Sequence, residues 1–99
     1  YVYEYIHQGY QEAGAARRHV FQVSADRKNW FGVEVAVDDG GVREWEQANG
    51  RELSQSERYA VAKLALFAAF DEGSSPEALR RPVHVPAARI ALLLSSVDL

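Results

Sequence analysis

Ninety-nine residues, 47% hydrophobic and 25% charged, are one domain's worth of chain, long enough to bury a single core and too apolar to remain unfolded. A net charge of −3 withholds the basic excess by which most nucleic-acid-binding domains release counterions. The absence of cysteine excludes disulfides, thiol nucleophiles and cysteine-held metal centres.

The longest apolar run, Leu64 to Phe70, lies between Lys63 and Asp71 and is far short of the roughly 20 residues a membrane span needs. No charged-then-apolar leader pattern opens the chain, and the cysteine-free composition fits a reducing, cytoplasmic setting. The chain begins at Tyr1 and holds no methionine, so it reads as a processed product or a piece of something longer.

The first expected element is a strand over residues 1–10, rich in aromatic and β-branched types. Alternation places Tyr1, Tyr3, Tyr5 and His7 on one face and Val2, Glu4, Ile6 and Gln8 on the other. Residues 11–18 hold small side chains and Gly14, the composition of a loop. Residues 19–25 and 31–37 alternate again and read as a hairpin. A three-residue loop of Arg27, Lys28 and Asn29, with Asn29 left-handed, pairs Ala25 with Phe31, Val23 with Val33 and Phe21 with Val35. Every apolar side chain then falls on one face, as a half-buried sheet requires.

Asp38-Asp39-Gly40-Gly41 breaks the strand, and a short helix over residues 42–48 follows, with Val42 and Trp45 inward and Asn49-Gly50 as its stop. The next helix is announced by a capping box, Ser54-Gln55-Ser56-Glu57, and runs to Glu72 with Gly73 as its cap. Between Tyr59 and Phe70 its only charge is Lys63. A surface helix shows a polar half, so this one is expected to be central in the fold or shared with another chain.

Ser75-Pro76 starts a short helical turn through Leu79. Pro82 and Pro86 bracket Val83-His84-Val85, a candidate edge strand. Ile90, Leu93, Leu94 and Val97 are spaced for one face of a last helix over residues 87–97, although Leu92-Leu93-Leu94 also fits a buried strand. The expected fold is a single α+β domain over residues 1–99: a three-stranded antiparallel sheet in residues 1–37, with two or three helices packed on one face.

Signs of chemistry are sparse. His7, His19 and His84 have no metal-ligand spacing, though His7 and His19 approach each other if the first two strands pair. Asp38 and Asp39 lack the alternating acids and closing glutamate of a calcium loop and read as a solvated turn. Glu44 and Glu46 fall on different helix faces, and no serine sits in a nucleophile-elbow context. No catalytic residue, metal or cofactor is assigned.

The leading expectation is a non-catalytic protein–protein interaction or self-associating module, acting through Tyr59, Leu64, Leu66, Phe67 and Phe70 of the apolar helix. An alternative is a single-stranded nucleic-acid-binding module. There Tyr1, Tyr3, Tyr5 and Trp30 stack bases, aided by Arg27, Lys28 and the pairs Arg17-Arg18 and Arg80-Arg81. Tyrosines that instead cover a helix with their rings leave no such platform. A third is a small-ligand or enzyme site between sheet and long helix, using Tyr59, His19 and Arg58.

Overall fold

The computed structural model describes residues 3–72, 76–79 and 81–95. Its elements are β1 (Glu4–Ala13), β2 (Ala16–Ser24), β3 (Phe31–Asp38), α1 (Asp39–Asn49), α2 (Gln55–Asp71), α3 (Pro76–Leu79), β4 (Val83–Val85) and α4 (Ala87–Ser95). The sheet runs β1-β2-β3-β4, an antiparallel meander followed by β4 lying parallel to β3. The candidate edge strand Val83–Val85 thus joins the sheet as a fourth strand beyond the three expected in residues 1–37. The short Val83–Val85 segment reaches β3 through a crossover that contains α1, α2 and α3, the kind of long connection a parallel neighbour requires.

The helices lie on one face, and the core forms between the layers. Phe21 and Val23 of β2, Val33, Val35 and Val37 of β3 and Val85 of β4 meet Val42 of α1, Val61, Ala62, Ala65 and Leu66 of α2, Leu79 of α3 and Ile90 of α4.

Residues 11–18 are not a loop. β1 and β2 continue as a ladder to Ala13 opposite Ala16, and Gly14, at φ 65°, begins the turn. Arg17 explains the extension: its Nε lies 2.6 Å from the Glu12 carboxylate and its guanidinium 4.1 Å above the Tyr10 ring. Further along, a bulge shifts the register between His7 and Gly9, with Gly9 at φ 115°. The extra residue places His7 opposite Phe21 and Tyr10 opposite His19. Both side chains thus stay on the covered face, where strict alternation would separate them.

The β2–β3 hairpin keeps the expected face but not the expected register. Val23 pairs with Phe31, Phe21 with Val33 and His19 with Val35, a slip of two residues. Such a slip preserves the alternation, and local polar bonds select it. Ser24 Oγ accepts the backbone N–H of Asp26 and Arg27, at 3.3 and 2.8 Å. The Asp26 carboxylate accepts the N–H of Lys28 and Asn29, each at 2.8 Å, and the Asn29 side-chain amide at 2.9 Å. The longer loop so formed places Arg27, not Asn29, in the left-handed region at φ 66°.

The acidic-glycine segment is not a solvated turn. Asp38 caps α1 by accepting the Gly41 N–H at 3.1 Å, so the helix begins three residues earlier than expected. It ends as expected at Gly50, left-handed at φ 67°, whose N–H bonds to the Glu46 carbonyl. The capping box at Ser54 and Glu57 is formed. α4 is a helix with Ile90 buried and Leu93 and Leu94 half-buried. The expectations for Tyr1, Val2, Gly73, Ser75, Arg80 and Val97 lie outside the described residues.

Candidate interaction surface

α2 faces the sheet with Val61, Ala62, Ala65 and Leu66, and its other sides are covered unevenly. Leu66 is 0% exposed and belongs to the core, so among the five expected interface residues it is not available to a partner. Tyr59, Leu64, Phe67 and Phe70 are half-buried. At about 100° per residue, Ala60, Leu64 and Asp71 gather on the side away from the sheet, while Lys63 and Phe67 lie towards the flank nearest β1, beside Tyr59 and Tyr5. The helix is therefore neither enclosed all round nor open.

The flank of α2 nearest β1 is closed by tyrosine rings. Tyr3 stacks on Phe70 with centroids 4.5 Å apart, and Tyr5 meets Phe67 edge-on at 5.2 Å. These rings are thus already engaged by the helix, and the face they would offer to nucleic-acid bases is covered. Trp30 is exposed on the β2–β3 loop, where Lys28 is also exposed and Arg27 lies 2.7 Å from Glu4. Arg17 is paired with Glu12, and Arg18 lies 3.8 Å from Glu34. Arg17 and Arg18 sit near one end of β2, and Arg27 and Lys28 just beyond the other. Those basic pairs do not converge.

Of the third set, His19 and Tyr59 come together and Arg58 does not. His19 is 2% exposed, its Nδ1 3.2 Å from His7 Nε2, and Tyr59 covers the pair from α2 with centroids 4.6 Å from His7 and 6.4 Å from His19. Arg58 turns instead towards Glu46, 4.0 Å away. Burial is the main cause that pushes His19 down from 6.5 to about 4, with His7 and Arg17 adding to it and Glu12 opposing. Burial also lowers His7, while a hydrogen bond to the Gly9 backbone opposes that shift.

That opposing bond favours the protonated ring, so His7 is its donor. His7 Nε2 and His19 Nδ1 share one hydrogen bond, and among the described residues His19 Nε2 is buried without a hydrogen-bond partner. Among the described residues no three histidine, cysteine or acidic side chains are grouped to hold a metal ion, and this pair supplies two ligands.

One polar centre was not visible in the spacing. Arg51 donates through both terminal guanidinium nitrogens to the Glu57 carboxylate, each bond 2.8 Å, and its guanidinium lies 4.9 Å from the Trp45 ring centroid. The Arg51 bonds, the Ser54 backbone and other local bonds hold the Glu57 carboxyl at about 2. The capping box marks Glu57, but nothing in the pattern marks Arg51. The arrangement ties the α1–α2 corner to the first turn of α2 and is structural in kind.

No helix among the described residues is long and apolar enough to cross a membrane. Compared with known proteins, the chain matches no family model, no curated protein and no solved structure.

Proposed function

We propose that this chain is a non-catalytic, self-associating interaction module whose contact surface is the side of α2 turned away from the sheet. The observation that carries this reading is the composition of that side and its rim: Ala60, Leu64 and the half-buried Phe67 lie there with Lys63 and Asp71 as the charged residues, where a two-layer fold normally places mostly polar ones. Covering it removes apolar area from water at roughly 25 cal/mol per Å², and contiguous apolar surface of this kind favours association.

Sedimentation equilibrium tests the reading. The mass should rise from 11.1 kDa towards twice that value as concentration increases. Phe67→Glu should hold the chain at the single-copy mass while leaving its far-ultraviolet circular dichroism unchanged. A wild-type chain that keeps the single-copy mass up to millimolar concentration overturns the reading.

A further inference from the structure

We propose that the His7–His19 pair is an acid-sensitive latch: uptake of a proton at His19 lifts the Glu4–His7 segment of β1 off α2 while the rest of the fold stays closed. The inference stands on the geometry around His19 and does not depend on self-association. His19 is 2% exposed, its Nδ1 is engaged with His7 Nε2 at 3.2 Å, and among the described residues its Nε2 has no partner. An imidazolium donates from both nitrogens. Protonated in place, His19 would have an acceptor for at most one of its two N–H groups. A buried charged donor left without an acceptor is costly.

The surroundings do not offset that charge. From β1 the pair is faced by Tyr5, Tyr10 and Glu12, from β2 by Arg17, and from α2 by Tyr59 with Lys63 beyond it. The residue opposite His19 on β3 is Val35. The Glu12 carboxylate is held by Arg17 at 2.6 Å, and among the described residues no carboxylate is ion-paired with either imidazole.

The part of the fold held least is the part that gives. α2 is anchored by Val61, Ala62, Ala65 and Leu66, and β2 by Phe21 and Val23, whereas among the described residues β1 contributes no buried side chain to the core. Its hold on α2 is peripheral: Tyr3 on Phe70, Tyr5 on Phe67 and His7 on Tyr59. The bulge between His7 and Gly9 divides the strand. Beyond it, Arg17 grips Glu12 and Tyr10, and Gln55 donates to the Tyr10 hydroxyl at 3.1 Å. Before it, the charged tie is Glu4 to Arg27, between side chains 42% and 79% exposed, and such a pair holds weakly. Lifting Glu4–His7 therefore opens His19 to water and leaves the core in place.

In the lifted form His19 regains its ordinary 6.5, against about 4 in the closed one. Proton uptake between those values favours lifting, and the effect grows as pH falls. From pH 7 to pH 5 the two values raise the lifted population about twentyfold.

Native-state hydrogen exchange, followed residue by residue by NMR at low urea and corrected for the intrinsic effect of pH, tests the latch. Amides of Glu4–His7 bonded to β2 should open about twentyfold more often at pH 5 than at pH 7, with a shallow urea dependence. Amides of β3 should open only with the steep urea dependence of global unfolding. In His19→Gln and His19→Phe the acid-driven rise in Glu4–His7 opening should vanish. Persistence of the rise in either folded variant overturns the latch. The wild-type chain decides the matter even where neither variant folds: Glu4–His7 amides that exchange only through global unfolding, or whose local opening ignores pH, overturn it as well.

Discussion

The two adjacent glycines of α1 should respond oppositely to the same substitution. A Cβ added at Gly41 would lie 2.8 Å from both Ala87 Cα and Ile90 Cδ1 and 3.0 Å from Ala87 N. Carbon atoms in good contact stand about 3.5–4.0 Å apart, so α1 and α4 must separate by roughly 0.7 Å or more to admit one methyl group. Because two of the three contacts are backbone atoms, a side-chain rotation cannot relieve the clash. Overpacking of this kind costs about 1–3 kcal/mol, against a gain of at most about 1 kcal/mol from replacing glycine by alanine in a helix.

At Gly40 the nearest atom to a Cβ is an Asp38 carboxylate oxygen at 3.4 Å, an ordinary contact. There only the propensity gain remains. Urea unfolding monitored by circular dichroism should therefore show Gly41→Ala destabilised by about 1–2 kcal/mol. Gly40→Ala should be more stable than wild type by a few tenths of a kcal/mol up to about 1. If Gly41→Ala equals or exceeds wild type in midpoint at unchanged slope, the α1–α4 contact is not as close as described and the reasoning fails.

Two further outcomes follow from the core. His19 has a pKa of about 4 in the folded chain against an ordinary 6.5, so the unfolded chain binds more protons between those values. Stability is then complete above pH 6.5 and declines as pH falls towards 4, by about 3 kcal/mol at most. A pH series of urea midpoints checks the slope, and His19→Phe should flatten it; an equal slope in that variant would reassign the effect. Leu66→Ala, at a position 0% exposed, should cost about 2–5 kcal/mol, while Leu64→Ala on the half-buried outward side should cost clearly less. Equal losses at both positions would contradict the assigned orientation of α2.

How much of this was legible differs by element, for physical reasons. The β2–β3 hairpin shows its buried face because a period of two is written directly into Phe21, Val23, Val33 and Val35. Its register is not written there, because a two-residue slip leaves those faces unchanged, and the bonds of Ser24 and Asp26 decide it. The start of α1 is hidden in the sequence because two glycines of low helix propensity mask a first turn that Asp38 caps from outside.

The meeting of His7 and His19 could be anticipated from strand pairing, but the bulge that adds Tyr10 to the same face could not. α2 was recognisable as a helix from its capping box. Its orientation was not, since residues apolar on all sides do not say which side meets the sheet. For the same reason Leu66 looked equivalent to Leu64 and Phe67 until the sheet was in place. The pairing of β4 depends on a distant strand, and no local pattern in Val83-His84-Val85 specifies it.

That late pairing bears on how the chain is made. β3 lies inside the sheet only because three residues from much further along the sequence protect its outer edge. During synthesis the meander can assemble while those residues are still inside the ribosome, and the valine-rich strand then presents open amides and carbonyls to any neighbouring polypeptide. The nascent chain is most exposed to misassembly in the interval between completion of β3 and emergence of Val85.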